Sequence, residues 1–211
     1  MECVELAGLT GEEWTGLLAG EERPWGAVPE GLQWRQKERF VGLRAPDGRH
    51  TGIAGAVVAT VEVEGTGSFE VVGVGSVFVT RAARGRGLVF TLLERLLSLA
   101  EELGPERAML FCRPELATIY RRVAFAEIGS PVQADQQGRP VEVPMTAMWR
   151  ALRVEPAGRQ GRSTCWACLS DLQAMLGSCH LRAWNSCGRS WPTGRMATTA
   201  RPSGRIRRSS S

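Results

Sequence analysis

The chain has 211 residues, 43% of them hydrophobic, and a net charge of +4. That supplies one ordinary domain core, and no apolar run approaches the roughly 20 residues of a membrane span, so a soluble chain is expected and a membrane partner is not. The N-terminus "MECVELAGLTGEEW" has no basic segment followed by an apolar stretch, which predicts a cytoplasmic location and free thiols for the six cysteines.

The charge divides unevenly. Met1 to Arg153 carries 17 basic and 20 acidic residues, a net −3, whereas Val154 to Ser211 carries nine arginines against Glu155 and Asp171, a net +7. A domain boundary is therefore expected near Arg153, with residues 1–153 folded and residues 154–211 a poorly structured, Arg/Ser/Gly-rich tail. Lys37 is the one lysine against 25 arginines. That imbalance reads as a bias of the coding DNA with little bearing on function.

In chain order, "TGEEW" from Thr10 is a capping box in which Thr10 and Glu13 pair reciprocally, opening a short helix through Leu17 and Leu18. "RFVGLRA" and "TGIAGAVVATVEVE" flank a turn at Pro46–Arg49 and read as an antiparallel hairpin. A second turn at "GTGS" leads into "FEVVGVGSVFVT", Phe69 to Thr80, as another strand. Val89, Leu92, Leu93, Leu96, Leu97, Ala100 and Leu103 then form a helix stripe over Leu88–Leu103, closed by Gly104 and Pro105. "RAMLFC" predicts a strand, "PELATIYRRVA" a short helix and "VEVPMTAMWRAL" one final strand. The sum is an α/β or α+β domain with a mixed sheet and helices packed on it.

Between the Phe69–Thr80 strand and the long helix lies "RGRGLV", Arg84 to Val89. A helix N-terminus offers unpaired amides, glycines let a ligand approach the backbone, and Arg84 and Arg86 add charge, so the corner is suited to an anion, phosphate first. A nucleotide P-loop is excluded because it requires GxxxxGK[ST] and Lys37 follows Gln36. A dinucleotide fingerprint is excluded because GxGxxG from Gly73 or Gly85 lacks its third glycine. Gly73 and Gly75 also weaken their strand and predict a bulge that frees backbone amides near Val77, Phe78 and Val79.

The order of strand, RxxGx turn and helix resembles the GCN5-related N-acetyltransferase (GNAT) family, whose pyrophosphate-binding turn has the form [Q/R]xxGx[G/A]. Arg84, Gly85, Arg86, Gly87 and Leu88 match, and Val89 replaces the last small residue. An "RGxGLV" turn is similar to that of aminoglycoside 2'-N-acetyltransferases. "CRPELATIYRRVAF", Cys112 to Phe125, resembles the family's "lYxrxGF" segment, with Tyr120 at the tyrosine and Ala124 at the glycine.

The resemblance implies a mostly antiparallel central sheet flanked by helices, acetyl-coenzyme A as cosubstrate without a metal, and direct acetyl transfer to a primary amine of a small molecule. It places the cofactor against Val77–Val79 and Arg84–Val89, and makes Tyr120 the acid that protonates the leaving thiolate. Glu70 is the first candidate for the base, with Glu62, Glu64 or a water chain behind it. Trp25 and Trp34 fall where the family's acceptor loop lies, and a homodimer stays open. Two other classes compete: a coenzyme A-binding sensor without catalysis, and a basic-tailed nucleic-acid module. The scatter of the tail's arginines argues against nucleic acid, and one CxxC, Cys165–Cys168, beside Cys179, His180 and Cys187 is too little for an expected zinc site.

Overall fold

A computed structural model describes residues 1–19, 21, 24–25, 32–64, 66–153 and 181–184. Strand β1 (Glu2–Leu6) precedes helix α1 (Gly11–Leu18). The helix is started by the predicted capping box: the Thr10 amide donates to the Glu13 carboxylate at 2.8 Å and the Glu13 amide donates to Thr10 Oγ1 at 3.2 Å. Strands β2 (Arg39–Arg44) and β3 (His50–Val63) form the predicted hairpin, turned at Gly48 with φ +84°. Strand β4 (Gly67–Val79) returns along β3, and a 3-10 turn at Arg81–Ala83 leads through the arginine–glycine corner into helix α2 (Leu88–Glu102).

After α2 come β5 (Arg107–Cys112), a 3-10 turn at Pro114–Leu116, helix α3 (Ala117–Arg121) and strands β6 (Ala126–Glu127), β7 (Val132–Gln136), β8 (Arg139–Glu142) and β9 (Thr146–Ala151). Strand β10 (Leu181–Trp184) lies in the tail. The sheet runs β6-β9-β5-β4-β3-β10-β7-β8, with β2 on β3 and β1 on β2. Neighbours are antiparallel except β4 with β5 and β10 with β7. The fold is thus the expected mixed, mostly antiparallel sheet flanked by helices.

Helix α2 covers one face. Leu92, Leu93, Leu96, Leu97, Leu99 and Ala100 are buried against Val41, Leu43, Ala54, Ala56, Val72, Val74 and Leu110. Each buried leucine contributes roughly 1.5–3 kcal/mol of transfer free energy, so this stripe anchors the sheet to the helix. The opposite face carries smaller clusters: Leu17 of α1 with Phe40, Ile53 and Phe78, and Val61, Val63 and Val71 with Met109 and Val132.

One expectation needs correction. "VEVPMTAMWRAL" is not one strand. Pro144 has no amide to pair, and the chain changes partners there, from β7 for β8 to β5 and β6 for β9. Within the tail, Leu181–Trp184 pairs with Thr60–Val63 of β3 on one side and with Val132–Asp135 of β7 on the other. Strand β3 is long enough to pair β2 with its first half and β10 with its last, and the backbone groups of that last part find their partners in the tail. The tail's cysteine and histidine cluster lies outside the described residues.

Candidate active site

The site begins with a change of phase in β4. Phe78 pairs with Ile53 and Gly75 with Gly55, so Ser76 and Val77 together face Ala54, and Ser76 has φ +52°. That is a β-bulge, one residue beyond the glycines expected to cause it. Before it, Val72 and Val74 point into the core under α2. After it, Val77 and Val79 take that side while Phe78 turns to the opposite face, beside Phe40, Ile53 and Leu17. Gly73 and Gly75 share the face that Phe78 joins.

The sheet opens at the same level. Strand β5 stays paired with β9 over its whole length, from Arg107–Ala151 to Cys112–Thr146, and β4 stays with β3. Between β4 and β5 the parallel pairing is confined to Val72–Ala108 and Gly73–Met109. Beyond it the strands diverge, and the edges of Val74–Val79 and Leu110–Cys112 border a wedge. On the face away from α2, Phe78 stands on one lip against Trp25, ring centroids 6.1 Å apart, and Phe111 on the other against Trp34 at 5.5 Å. Trp25 is 37% exposed. The two tryptophans expected at an acceptor loop therefore flank the opening.

The corner closes the wedge at the end of β4. Gly85 and Gly87 have φ +76° and +73°, the left-handed region where any side chain is strained. Little crowds a Cβ at either position, so conformation and not space requires glycine there. No side chain caps α2 and no acidic residue occupies its first turn, which leaves Leu88 and Val89 at a bare, positively polarised helix start. Arg84 folds back instead of projecting outward. Its Nε donates to the Val79 carbonyl at 2.9 Å, its guanidinium pairs with Glu21 at 2.6 Å, and it lies 5.7 Å from the Phe78 ring centre. Arg86 is exposed. The corner's anion affinity thus rests on backbone geometry and Arg86, while Arg84 braces the strand end.

Tyr120 is 8% exposed and belongs to the buried cluster that contains Val74, Val79, Ala83 and Cys112. Burial, followed by the neighbouring Cys112, raises its phenol above the usual tyrosine range, so it is protonated at neutral pH. Its ring meets Phe125 edge-on at 6.2 Å, and the Phe125 amide donates to the Tyr120 carbonyl at 3.1 Å. That turn passes through Ala124 at φ +64°, a left-handed conformation at the position matched to the family's glycine. Arg122 stacks on Phe90 at 4.5 Å, tying α3 to the first turn of α2. Cys112 Sγ lies 3.8 Å from Met148 Sδ, and burial pushes its thiol up to about 11, as suits an inert core cysteine.

Glu70 is not brought to this constellation. It is exposed and pairs with Thr60, six residues before Ser76, roughly 20 Å along the strand at 3.3 Å per residue. Glu62 lies opposite Ser68 at that same far end, with Glu64 just past the end of β3.

Lys37 does reach it. Its stem crosses the face at the cross-strand pair Gly55–Gly75: a Cβ at Gly55 would lie 2.8 Å from its Cγ, and one at Gly75 2.7 Å from its Cε and 3.2 Å from its Nζ. The two glycines are the trough in which the lysine lies. The Arg35 carbonyl, at 3.5 Å, is the ammonium's recorded acceptor. Lys37 keeps some exposure, yet the protein atoms crowded around its end make desolvation dominant, and with Arg35 nearby its pKa falls to about 8. Composition alone gave no reason to single it out. Its being the sole lysine was visible in the sequence, whereas the pairing of Gly55 with Gly75 that seats it was not.

A sheet split beside a bulge, with a glycine corner feeding a bare helix start, is the arrangement expected from the family that the sequence resembles. Residues 7–123, more than half of the chain, match the Acetyltransferase (GNAT) family, and the chain belongs to it. A stretch of 53 residues is 43% identical to "Probable glucosamine 6-phosphate N-acetyltransferase 2" of Oryza sativa subsp. japonica, covering 25% of this chain and about a third, 32%, of the rice protein. The structure described as "the putative acyl-CoA N-acyltransferase from Klebsiella pneumoniae" shares the fold at 16% identity and TM-score 0.51, over 72% of this chain and 97% of that one. A phosphinothricin acetyltransferase of Sinorhizobium meliloti, solved with AcCoA, aligns at 16% identity and TM-score 0.49, over 79% and 96% of the two chains. Among the described residues no helix is long and apolar enough to cross a membrane.

Proposed function

We propose that the protein transfers an acetyl group from acetyl-coenzyme A to a primary amine of a small molecule, by direct attack. The observation that carries this is the wedge: parallel pairing ends at Gly73–Met109, the bulge follows at Ser76, and the anion corner follows at Gly85–Gly87 on the same run of chain. The residues fit the cosubstrate. Left-handed Gly85 and Gly87, with the amides of Leu88 and Val89, would hold its pyrophosphate, and the freed edge of Val77–Val79 its pantetheine arm and thioester oxygen. When bound, it supplies the activated acetyl group.

Tyr120, kept protonated by its burial, is the donor that gives its proton to the departing sulfur. Trp25 and Trp34 form the apolar rim that an acceptor crosses. The test is free-thiol release from acetyl-coenzyme A against an amine panel. The panel includes amino-sugar phosphates, for the rice relative, and an aminoglycoside, for the valine at position 89. We expect turnover with at least one amine and, by calorimetry, loss of coenzyme A binding in Gly87→Glu, which adds a negative charge at the phosphate position. Equal affinity in wild type and Gly87→Glu would refute the assignment, and coenzyme A binding without turnover on any amine would favour a sensor.

A further inference from the structure

We infer that Lys37 is the general base of the reaction, taking the proton from the attacking amine at the bulge of β4. This rests on the acetyl-transfer reading above and adds the group that reading lacks. Three independent features of the chain point to it.

The first is position. Gly55 and Gly75 are direct partners across β3 and β4, and together they leave a channel one side chain wide, filled by the Lys37 stem. The channel ends at Gly75, next to Ser76, so Nζ is delivered to the bulge on the face where Phe78 and Phe111 line the wedge. The second is anchoring. The Glu38 amide donates to the Ala56 carbonyl at 2.9 Å, which fixes the backbone directly after the lysine onto β3. The third is charge. Arg35 and Glu38, paired with each other at 2.9 Å, are the charged groups of its own segment, and the strands beneath it present Gly55 and Gly75. Among the described residues no carboxylate pairs with Nζ, and desolvation together with Arg35 lowers its proton affinity to about 8, where a base is part neutral near physiological pH. The carboxylates considered from the sequence lie at the far end of β4.

The step balances. The amine nitrogen bonds to the acetyl carbon and the carbon–sulfur bond breaks. The amine's proton passes to neutral Lys37 Nζ and then to solvent, while Tyr120 protonates the sulfur and takes back a proton from solvent.

The experiment uses the full chain. Thiol release is followed from about pH 6.5 to 9.5 with two acceptors of different amine pKa, in wild type, Lys37→Arg and Lys37→Met. We expect wild-type kcat to rise with pH to a plateau with its midpoint near 8 for both acceptors. Both variants should lose on the order of 10²-fold in kcat with coenzyme A affinity unchanged.

Because Lys37 is the sole lysine, its own titration is read on wild type by pH-dependent acylation with acetic anhydride and peptide mass spectrometry. The midpoint should coincide with the kinetic one, a readout that stands even if the variants fail to fold. Turnover by Lys37→Arg within about threefold of wild type, or a labelling midpoint at the ordinary lysine value, overturns the inference. So does stable acetylation of Lys37 by acetyl-coenzyme A, which would make it the acceptor. Absence of both coenzyme A binding and thiol release in wild type is the separate failure of the acetyl-transfer reading itself.

Discussion

Adding one methyl group at Gly55 tests whether the glycine pair exists to seat the lysine. A Cβ there would stand 2.8 Å and 2.9 Å from Lys37 Cγ and Cβ and 2.9 Å from Phe40 Cε1. The base of the lysine stem cannot swing aside, because the Glu38 amide holds the adjoining backbone to Ala56. Phe40 is buried against Leu17, Ile53 and Phe78. Overpacking of this kind costs about 1–3 kcal/mol, and the loss of glycine's unfolded-state freedom returns about 0.5–1, leaving Gly55→Ala destabilised by up to about 2.5 kcal/mol, with the midpoints of the two ranges giving about 1.

Gly73, on the same face of the adjoining strand, is the control, because its Cβ would meet Val57 at 3.5 Å, an ordinary contact. Gly73→Ala should therefore be neutral or stabilised by up to about 1 kcal/mol. Urea unfolding followed by circular dichroism reads both differences, and thermal midpoints should move by about 2–4 °C per kcal/mol. Equal stability of the two variants, or a larger loss at Gly73, would refute the trough.

Ala124→Gly should raise stability by about 0.5–1 kcal/mol in the same assay, because φ +64° strains alanine and not glycine; a loss would mean the methyl group packs more than it strains. Tyr120→Phe should lower kcat by ~10² or more with coenzyme A binding retained, and wild-type turnover would remove the phenol from the mechanism. Truncation after Arg153 should leave coenzyme A binding intact but remove the strand that hydrogen-bonds β7 to β3, so hydrogen exchange should speed at Val132–Gln136 and not at β3–β5. Unchanged protection there would show that β10 does not hold the hairpin.

Legibility in the sequence followed the strength of local signals. The α2 stripe, the capping box and the β2–β3 hairpin each repeat one physical pattern over several residues, and each forms where it was expected. The corner was legible because two glycines before a helix have few structural uses. Strand β1 and the hairpin of β7 and β8 were not read. "VQADQ" is polar and short, and its turn depends on Gln137 at φ +58° beside Gly138, where only the glycine signals a left-handed turn. The split of "VEVPMTAMWRAL" was signalled by Pro144. Lys37 could not be recognised, because its role depends on Gly55 and Gly75 being opposite each other, a matter of register between strands 20 residues apart.

The bulge at Ser76 has a consequence for how this region can vary. It works as a one-residue phase shifter: upstream, the even-numbered positions of β4 face α2, and downstream the odd-numbered ones do. Straightening the bulge at unchanged length would restore regular alternation and exchange the two faces beyond it. Phe78 would then be driven into the α2 core, and Val79 would be pulled out of it. Deleting Ser76 together with the bulge would instead keep both faces, with Val77 and Val79 under α2 and Phe78 opposite, so the hydrophobic core accepts the strand with or without the extra residue and only the freed edge at the wedge requires it.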